Sequence, residues 1–364
     1  MKYSDKTAGE RRHPSVTWRR ALSTMILLAG TLSWPATIQA ADAVTDHATP
    51  PHAAIIMYHR FGENRIPSTN IRLEQFDAQL AELKTGGYTV LPLAEIVRRF
   101  QHGESLPDRS VGISVDDAYE SFYREAWPRL KRAGFPVTLF VTVEPIDSQT
   151  RGYMTWDQLR EVQAEGVTIG HHTYRHQHMP AESEAGNAAD LAKASARYAA
   201  ELHATPSLFA YPYGEWSAAN EKMVRDLGFV AAFGQHSGVA HADHDQYWLP
   251  RFPFNETYGE IARFRQAVTS LPLPLAGLEP ADPLLKQNPP QVRFTVPAGI
   301  DHLERMVCYP SHVPGLAKLE SLGERRYAVA ITKPYPEGRG RLSCTLPAGD
   351  NRYRWFGVQY FITK

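Results

Sequence analysis

Four of the chain's fifteen histidines fall within residues 170–179, GHHTYRHQHM, and this density raises the question of metal binding. A neutral imidazole is a common metal ligand. His172 and His176 have three residues between them, so both could reach one cation from a single turn. One carboxylate would complete a three-ligand set with a position left open for water, as in catalytic zinc sites. The spacing does not decide among these two, His171 and His178, and a solvated loop is the alternative.

Two adjacent carboxylates, Asp116 and Asp117 in SVDDAY, form a second polar cluster. Neighbouring carboxylates repel each other, so the pair is costly unless a cation or hydrogen-bond donors compensate it. A turn or a helix cap is the alternative. A third cluster is AYPYG at residues 210–214, where a proline fixes a turn. All three clusters come directly after predicted strands, so we expect them to converge on one rim.

The elements that must position these clusters alternate along residues 54–255. Short β-rich apolar runs alternate with helical patterns, which implies parallel strands joined by crossover helices. Seven or so such units suggest a barrel, in which residues just after the strands point into a shared mouth. In the helix TWDQLREVQAEG, Thr155 is placed to cap, Gln158 to close a capping box and Gly166 to end the helix. The predicted strands are AAIIMY, VGISV, VTLFVTV, VTIG, SLFAY and FVAAFG.

The remainder of the chain has a different pattern. Residues 54–270 form the predicted barrel, and the proline-rich residues 271–291 predict a stiff connector. Residues 292–364 carry alternating patterns such as QVRFTV and RYRWFGVQYFI, with no convincing helix, which predicts a small β-sandwich. The predicted fold class is therefore α/β, a distorted (β/α) barrel followed by a small all-β domain that packs on the barrel or helps to hold a polymer.

Residues 1–40 are typical of a cleaved export signal, because Arg19 and Arg20 precede an apolar stretch and small residues follow it. The apolar run is shorter than the about 20 residues that span a bilayer, so a membrane anchor is the less favoured alternative. We therefore expect a periplasmic or secreted protein with no stable membrane span. Exported proteins meet oxidising conditions, and the only two cysteines, Cys308 and Cys344, are predicted to form a disulfide.

The charge balance gives no support for nucleic-acid binding. The chain has 39 Lys and Arg against 39 Asp and Glu. Without residues 1–40, which hold six basic and two acidic residues, the balance becomes 33 against 37. A mildly acidic protein lacks the basic surface that nucleic-acid binding requires.

Taken together, the three clusters resemble the motifs of the polysaccharide deacetylases, the NodB-homology or carbohydrate esterase family 4. SVDDAY is similar to the family's T-F-D-D-G motif, HTYRH to its H-[ST]-x-x-H motif, and YPYG to the end of R-P-P-Y-G. The resemblance covers about residues 54–255. It implies a distorted (β/α) barrel and a divalent metal, commonly zinc, used to remove N-acetyl groups from glycans.

Matched residue by residue, the resemblance makes Asp117, His172 and His176 the metal ligands and Asp116 the catalytic base. Metal and base would activate a water for attack on the acetamide. The backbone N–H of Tyr213 would help to stabilise the oxyanion that results. The two other histidines of the cluster would lie behind the ligands or at the surface. Ligation by two histidines and an aspartate suits zinc, cobalt or nickel about equally.

Two departures from the family pattern concern catalysis. The motif's arginine falls on Ala210, so we expect Arg251 in WLPRFPFNE to orient Asp116, with a surface position as the alternative. The family's late histidine is not evident, whereas His59 lies in the early IIMYHR. This resembles the circularly rearranged branch that includes poly-N-acetylglucosamine deacetylases, which implies that His59 protonates the leaving amine. A core histidine is the alternative.

A further group of histidines lies in FGQHSGVAHADHDQYW, after another predicted strand. His236, His241 and His244 are expected either at the rim of the site, in reach of substrate, or in an exposed loop.

The sequence thus predicts an exported, metal-dependent N-deacetylase of a polysaccharide that contains N-acetylglucosamine. Poly-N-acetylglucosamine, chitin-like chains and peptidoglycan all stay open as the substrate, as do the native metal and the oligomeric state. One alternative is an O-acetyl esterase or another amide hydrolase with the same site. Another is a carbohydrate-binding protein that has lost catalysis, which the missing arginine at position 210 makes conceivable.

Overall fold

The computed structural model of the protein describes residues 49–63 and 65–363. The predicted export signal at residues 1–40 lies outside these residues. Within the described ranges, no helix is long and apolar enough to cross a membrane.

The first part of the chain forms a curled, mostly parallel sheet covered by helices, which confirms the predicted barrel. The strands of this part of the chain are β1 (His52–Tyr58), β2 (Arg60–Phe61), β3 (Asn70–Ile71), β4 (Thr89–Val90), β5 (Ser110–Asp116), β6 (Thr138–Val141), β7 (Thr168–His171), β8 (Leu208–Ala210), β9 (Ala231–Phe233), β10 (Ala240–His241) and β11 (Phe252–Pro253). Strands β2 and β3 form a separate two-stranded sheet. The order in the main sheet is β10-β1-β5-β6-β7-β8-β9, with β11 also on β1 and β4 on β5. Strand β10 pairs antiparallel with β1, whereas the other pairings of this sheet are parallel.

Helices connect most of these strands. They are α1 (Leu73–Thr85), α2 (Leu93–His102), α3 (Trp127–Ala133), α4 (Glu144–Asp147), α5 (Trp156–Ala164), α6 (Glu184–Leu202), α7 (Ala218–Asp226) and α8 (Ile261–Val268). The capping box predicted for α5 is present: the Thr155 side chain accepts from the Gln158 N–H, and the Gln158 side chain accepts from the Thr155 N–H. This reciprocal pair satisfies two backbone donors that the start of a helix leaves open.

The central strands are buried on both faces. Ile56 and Ile113 belong to an apolar cluster that also contains Phe76 of α1. Ile55, the neighbour of Ile56, belongs to a different cluster with Phe140 of β6. Successive side chains of a strand point to opposite faces, so this division is expected when helices cover one face and the closed sheet encloses the other. The packing on both sides makes the strand ends a rigid base for a site.

The C-terminal part forms two four-stranded antiparallel sheets, apart from one parallel pairing at an edge. The strands are β12 (Leu271–Pro272), β13 (Ala276–Glu279), β14 (Val292–Thr295), β15 (Val307–Pro310), β16 (Lys318–Ser321), β17 (Arg326–Ala330), β18 (Gly338–Ala348) and β19 (Arg352–Ile362). One sheet has the order β12-β19-β18-β15 and the other β13-β14-β17-β16. Phe294, Leu342 and Tyr360 are members of one buried cluster between them, as in a β-sandwich.

The proline-rich segment 271–291 differs from the predicted connector. It contributes β12, which pairs parallel with β19, and β13, which pairs antiparallel with β14. Both are edge strands, where a residue without an N–H donor such as Pro272 is tolerated. The segment is therefore a structural part of the β-domain.

The predicted disulfide is confirmed. Cys308 on β15 and Cys344 on β18 are opposite residues of adjacent strands, and their sulfur atoms are bonded. The bridge joins two positions 36 residues apart in the sequence.

We expect the double substitution Cys308→Ala, Cys344→Ala to lower the free energy of unfolding by about 4 kcal/mol, because a bridge across such a loop restricts the unfolded chain. Urea unfolding followed by tryptophan fluorescence measures the change. Reduction of the wild-type protein should produce a similar loss, and an unchanged midpoint after both treatments would contradict the expectation.

Candidate active site

The polar clusters singled out in the sequence lie at the carboxyl ends of parallel strands. Asp116 is the last residue of β5, and Asp117 follows it. His172 follows β7, and His59 follows β1. The turn that contains Tyr213 comes shortly after β8. Because neighbouring parallel strands end at the same rim, the fold brings residues from distant parts of the chain to one place.

Asp117, His172 and His176 form a group that could hold a metal ion. Their ligand atoms all lie within 4.8 Å of one another. The Asp117 Oδ1 is 3.2 Å from Nε2 of His176 and 3.4 Å from Nε2 of His172. This is the only such group of three or more ligand side chains among the residues that the structure describes.

The proton on His172 is placed by its backbone partner. Its Nδ1 lies 2.7 Å from the carbonyl oxygen of Ala210, which can only accept a hydrogen bond. In the neutral ring, Nδ1 therefore carries the proton, and Nε2 directs a lone pair toward Asp117. Metal-binding histidines are commonly oriented in this way by a partner on the other nitrogen.

The chemistry of these donors fits a divalent cation. Nε2 of His172 and Oδ1 of Asp117 are buried without a hydrogen-bond partner among the described residues, although buried polar atoms are usually paired. Burial raises the pKa of Asp117, but the neighbouring His172 and His176 outweigh it and hold the pKa well below its usual range. Burial lowers the pKa of His176 to about 4. At neutral pH the group thus offers a carboxylate and an imidazole lone pair, as metal binding requires.

We expect His176→Ala to lose most of its bound metal, because removing one of three protein ligands weakens the site. His178→Ala is the matched control, since that imidazole lies in the same loop but outside the group. Elemental analysis after dialysis against zinc measures both variants. Full occupancy in His176→Ala would remove His176 from the ligand set.

Asp116 is held by Arg251. Nη1 of Arg251 donates to Oδ1 at 2.7 Å and Nη2 donates to Oδ2 at 2.8 Å, and both side chains are completely buried. Arg251 Nε donates to the carbonyl oxygen of Gly234 at 2.8 Å, which fixes the guanidinium itself. Burial raises the pKa of Asp116, but the charge and hydrogen bonds of Arg251 outweigh it and leave the pKa below its usual value. Asp116 is therefore an oriented, ionised carboxylate.

His59 lies within the electrostatic reach of the same carboxylates. Burial lowers its pKa, and the charges of Asp117 and Asp116 offset only part of that shift. His59 is partly exposed, whereas Tyr58 before it is buried. The ring of His59 thus lies at the rim, beside the candidate metal group.

The Tyr213 turn also borders the candidate metal group. The rings of Tyr213 and His176 are 4.4 Å apart. Tyr213 has a left-handed backbone with φ 58°, and Gly214 follows with φ 68°. A Cβ at Gly214 would lie 2.3 Å from the backbone nitrogen of Gln235, so only glycine fits there. No hydrogen bond within the described residues engages the Tyr213 N–H.

The two remaining histidines of the first cluster have different surroundings. His171 is fully buried, with its ring near Tyr198 and Phe209, and burial lowers its pKa to about 3. Its Nδ1 accepts a hydrogen bond from the N–H of Thr173, so His171 helps to fix the loop that carries His172 and His176. His178 is exposed and stacks on the ring of Tyr213 at 4.2 Å.

The structure excludes one of the two positions expected for two histidines of the later loop. His236 and His241 are buried, with 1% and 5% of their surface exposed, so the exposed-loop alternative is wrong for them. The loop folds inward because its aromatic residues pack together: Trp248 contacts both His236 and His244, and His244 stacks on His241. Burial lowers the pKa of all three.

Three residues near the site were not found by the sequence reasoning. Gln235 Nε2 donates to Asp116 Oδ2 at 3.4 Å. Glu215 is buried and accepts from Nδ1 of His178 at 2.5 Å. Gln359, on β19 of the β-domain, donates to the carbonyl oxygen of Tyr213. Glu215 directly follows the YPYG motif, which was the one available signal for it.

Comparison with known proteins gives a family match. Residues 103–232 match the family model described as polysaccharide deacetylase. YxkH of Bacillus subtilis strain 168, which carries the name polysaccharide deacetylase, is 24% identical to this chain over 202 residues. The match covers 56% of this chain and 71% of that protein. A protein of Escherichia coli K12 named poly-beta-1,6-N-acetyl-D-glucosamine N-deacetylase is 24% identical over 215 residues. That match covers 48% of this chain but only 32% of the E. coli protein.

Solved structures share the fold of the barrel. IcaB from Ammonifex degensii is similar with a TM-score of 0.54 and 23% identity, over 61% of this chain and 99% of that chain. The Streptococcus pyogenes deacetylase PplD, solved in complex with acetate, has a TM-score of 0.54 and 22% identity, over 58% of this chain and 95% of that chain. These likenesses confirm the architecture that was predicted for the first domain.

Proposed function

The chain contains a polysaccharide deacetylase domain, and on that premise we propose that it is a metal-dependent hydrolase that removes N-acetyl groups from a polymer of N-acetylglucosamine. The observation that carries the proposal is an oriented carboxylate, Asp116, beside a group of metal-ligand type, Asp117, His172 and His176. The relative in E. coli is named for poly-beta-1,6-N-acetyl-D-glucosamine. This name supports a β-1,6-linked polymer as the first substrate to test.

Asp117, His172 and His176 would hold the divalent metal, with zinc as the first candidate. A cation bound there supplies Lewis acidity to the acyl carbonyl and to the attacking water. The three side chains present a carboxylate oxygen and two imidazole nitrogens, which leaves coordination positions for ligands other than protein.

Asp116 would take the proton of the attacking water. Its ionised state, held by Arg251, allows it to accept that proton. Oδ1 of Asp116 has a second lone pair beyond the one that Arg251 engages, so the ion pair does not block the transfer. The hydroxide oxygen adds to the acetamide carbonyl carbon, and the carbonyl oxygen becomes an oxyanion.

The N–H of Tyr213 would donate to this oxyanion. A fixed backbone donor stabilises charge that develops in the transition state without having to reorganise. The turn that carries it is fixed on one side by the N–H of Gly214, which donates to the carbonyl oxygen of Tyr211 at 2.8 Å.

His59 would deliver a proton to the departing nitrogen. The C–N bond then breaks, leaving acetate and a free amine on the sugar. The lowered pKa of His59 makes its protonated ring a stronger acid toward that nitrogen.

Export is part of the proposal. It rests on the leader pattern of residues 1–40 and is supported by the disulfide between Cys308 and Cys344, since disulfides persist in oxidising compartments. Glycan polymers of the cell surface would be accessible there.

Acetate release from defined acetylated substrates tests the function. We expect the zinc-loaded protein to deacetylate β-1,6-linked N-acetylglucosamine oligomers faster than β-1,4-linked oligomers or O-acetylated sugars. Asp116→Asn, which keeps the shape of the side chain, is the matched inactive variant. Release from O-acetyl esters alone would make the protein an esterase, and no release from any substrate would favour a binding protein.

A further inference from the structure

The β-domain reaches the turn that carries the proposed oxyanion donor. Gln359 lies on β19, and its Nε2 donates to the carbonyl oxygen of Tyr213 at 2.9 Å. The two residues are 146 positions apart in the sequence. Gln359 is buried, with 2% of its surface exposed, so this hydrogen bond is shielded from water. A buried, shielded hydrogen bond holds its partners in a defined geometry.

A second residue of the β-domain sets the orientation of the Gln359 amide. Arg341 lies opposite Gln359 in the β18–β19 pairing, and its Nε donates to Oε1 of Gln359 at 2.8 Å. The arginine can only donate, so it selects the oxygen of the amide and leaves the nitrogen facing Tyr213. In the chain of contacts from Arg341 through Gln359 to Tyr213, each hydrogen-bond donor therefore faces an acceptor.

The conformation of Tyr213 explains what this chain of contacts does. A non-glycine residue at φ 58° is in the left-handed region, which persists only where the surroundings impose it. Gly214 N–H fixes one side of the turn by bonding to Tyr211, and Gln359 fixes the Tyr213 carbonyl. These two contacts fix the peptide plane after Tyr213, and the N–H of Glu215, which donates to the carbonyl oxygen of Pro212 at 3.0 Å, fixes the plane that carries the Tyr213 N–H. With all three contacts in place, the direction of the Tyr213 N–H is determined.

The β-domain cannot shift easily relative to the turn. A Cβ at Gly357 of β19 would lie 2.0 Å from the carbonyl oxygen of Ser237 in the barrel loop. The strand backbone thus rests directly on the barrel, two residues before Gln359. A further contact is electrostatic: Arg339 Nε lies 3.5 Å from Oε1 of Glu215, next to the same turn.

We propose that the β-domain is part of the active site, and that Gln359 is a positioning residue that holds the Tyr213 N–H in its catalytic direction, with Arg341 orienting Gln359. The inference rests on the proposed function of the barrel and adds to it a role for the second domain.

Kinetics of Gln359→Met provide the test, because methionine keeps the volume and removes the donor. Loss of an oxyanion donor costs about 10²–10³ in kcat, and misdirecting one should cost part of that. We expect kcat on N-acetylglucosamine oligomers to fall about 10- to 10²-fold with KM within about twofold. Arg341→Lys should lower kcat by less, since it loses only the orienting bond. Thr345→Val, another buried polar residue of the same sheet, is the matched control and should keep wild-type kinetics.

Hydrogen exchange of residues 211–216 provides a readout that does not depend on activity. We expect faster exchange at this turn in Gln359→Met than in the wild type, and unchanged exchange in Thr345→Val. If Gln359→Met does not fold, Arg341→Lys carries the same two measurements.

An unchanged kcat, or an effect on KM alone, would overturn the positioning role while the activity of the wild type stands. If the wild type releases no acetate, the proposed function fails, and the exchange measurement still decides whether Gln359 orders the turn. Unchanged exchange in that case overturns the inference as well.

Discussion

Replacing Arg251 by alanine is expected to lower kcat for deacetylation by about 10²–10³ with a much smaller change in KM, because a positioned general base contributes on that scale. Both Asp116 oxygens accept hydrogen bonds from Arg251, so the substitution removes the guanidinium that orients the Asp116 carboxylate. The rate of the chemical step should therefore fall, whereas substrate binding should change little.

Stability is expected to fall in the same variant. Breaking a buried ion pair by removing one partner costs about 3–5 kcal/mol, because the other charge stays buried and unpaired. Asp116 and Arg251 are both fully buried. Arg251→Lys retains the charge but loses the two-pronged geometry, so it should fold better than Arg251→Ala and still lose most of kcat.

Steady-state kinetics and urea unfolding of Arg251→Ala, Arg251→Lys and Arg129→Ala measure these effects. Arg129 is the control, because it pairs with Asp77 and Glu125 outside the site. A rise in KM with kcat retained would make Arg251 a substrate contact and would leave the orientation of Asp116 without an explanation.

His59→Asn should separate amide from ester substrates. An amine leaves only when its nitrogen is protonated, whereas a nitrophenolate departs as a stable anion. We therefore expect acetate release from N-acetylglucosamine oligomers to fall by about 10²-fold or more, with a far smaller effect on nitrophenyl acetate.

Metal content must be measured in the same variant, since loss of the metal would depress both reactions. His203→Asn is the control for the substitution itself, because His203 is an exposed residue at the end of α6. Equal losses on both substrates, with metal retained, would show that His59 positions water or substrate and is not the general acid.

The residues of the site that could be predicted lie next to recognisable local patterns in the sequence. Asp116 and Asp117 adjoin the apolar run of β5, and His172 adjoins that of β7. The β/α alternation alone places such strand ends at one rim. Arg251 was reached by a different route, from the arginine that the family motif has and Ala210 lacks, and the structure places it against Asp116.

The parts that could not be predicted depend on packing between distant segments. Gln359 has no feature in the alternating pattern of β19 that distinguishes it from other polar residues, and its role follows from how the two domains meet. The Ala210 carbonyl that orients His172 is a backbone group, on which residue type carries no information. His236 was expected at the rim or in an exposed loop because its segment follows a predicted strand, but its ring is buried beside that of Trp248.

The fold, like the site, has parts that local patterns predict and parts that depend on contacts between distant segments. Strong periodic segments such as α5 and β19 are found where the pattern places them. The proline-rich segment was read as a connector because proline disrupts regular structure, yet Pro272 lies in an edge strand, where the missing N–H donor is tolerated. Edge pairing depends on the partner strand, which a local pattern does not reveal.

Acetate release from β-1,6-linked N-acetylglucosamine oligomers, measured before chelation, after chelation and after zinc is restored, tests the central claim most directly. We expect activity in the zinc-loaded protein, its loss on chelation and its recovery with zinc, and no recovery in Asp117→Asn or Asp116→Asn. Asp117→Asn should fail to retain the metal, whereas Asp116→Asn should retain it and stay inactive, because one carboxylate is assigned to binding and the other to proton transfer. Acetate release that persists after complete removal of the metal, or that survives in Asp116→Asn, would contradict the account.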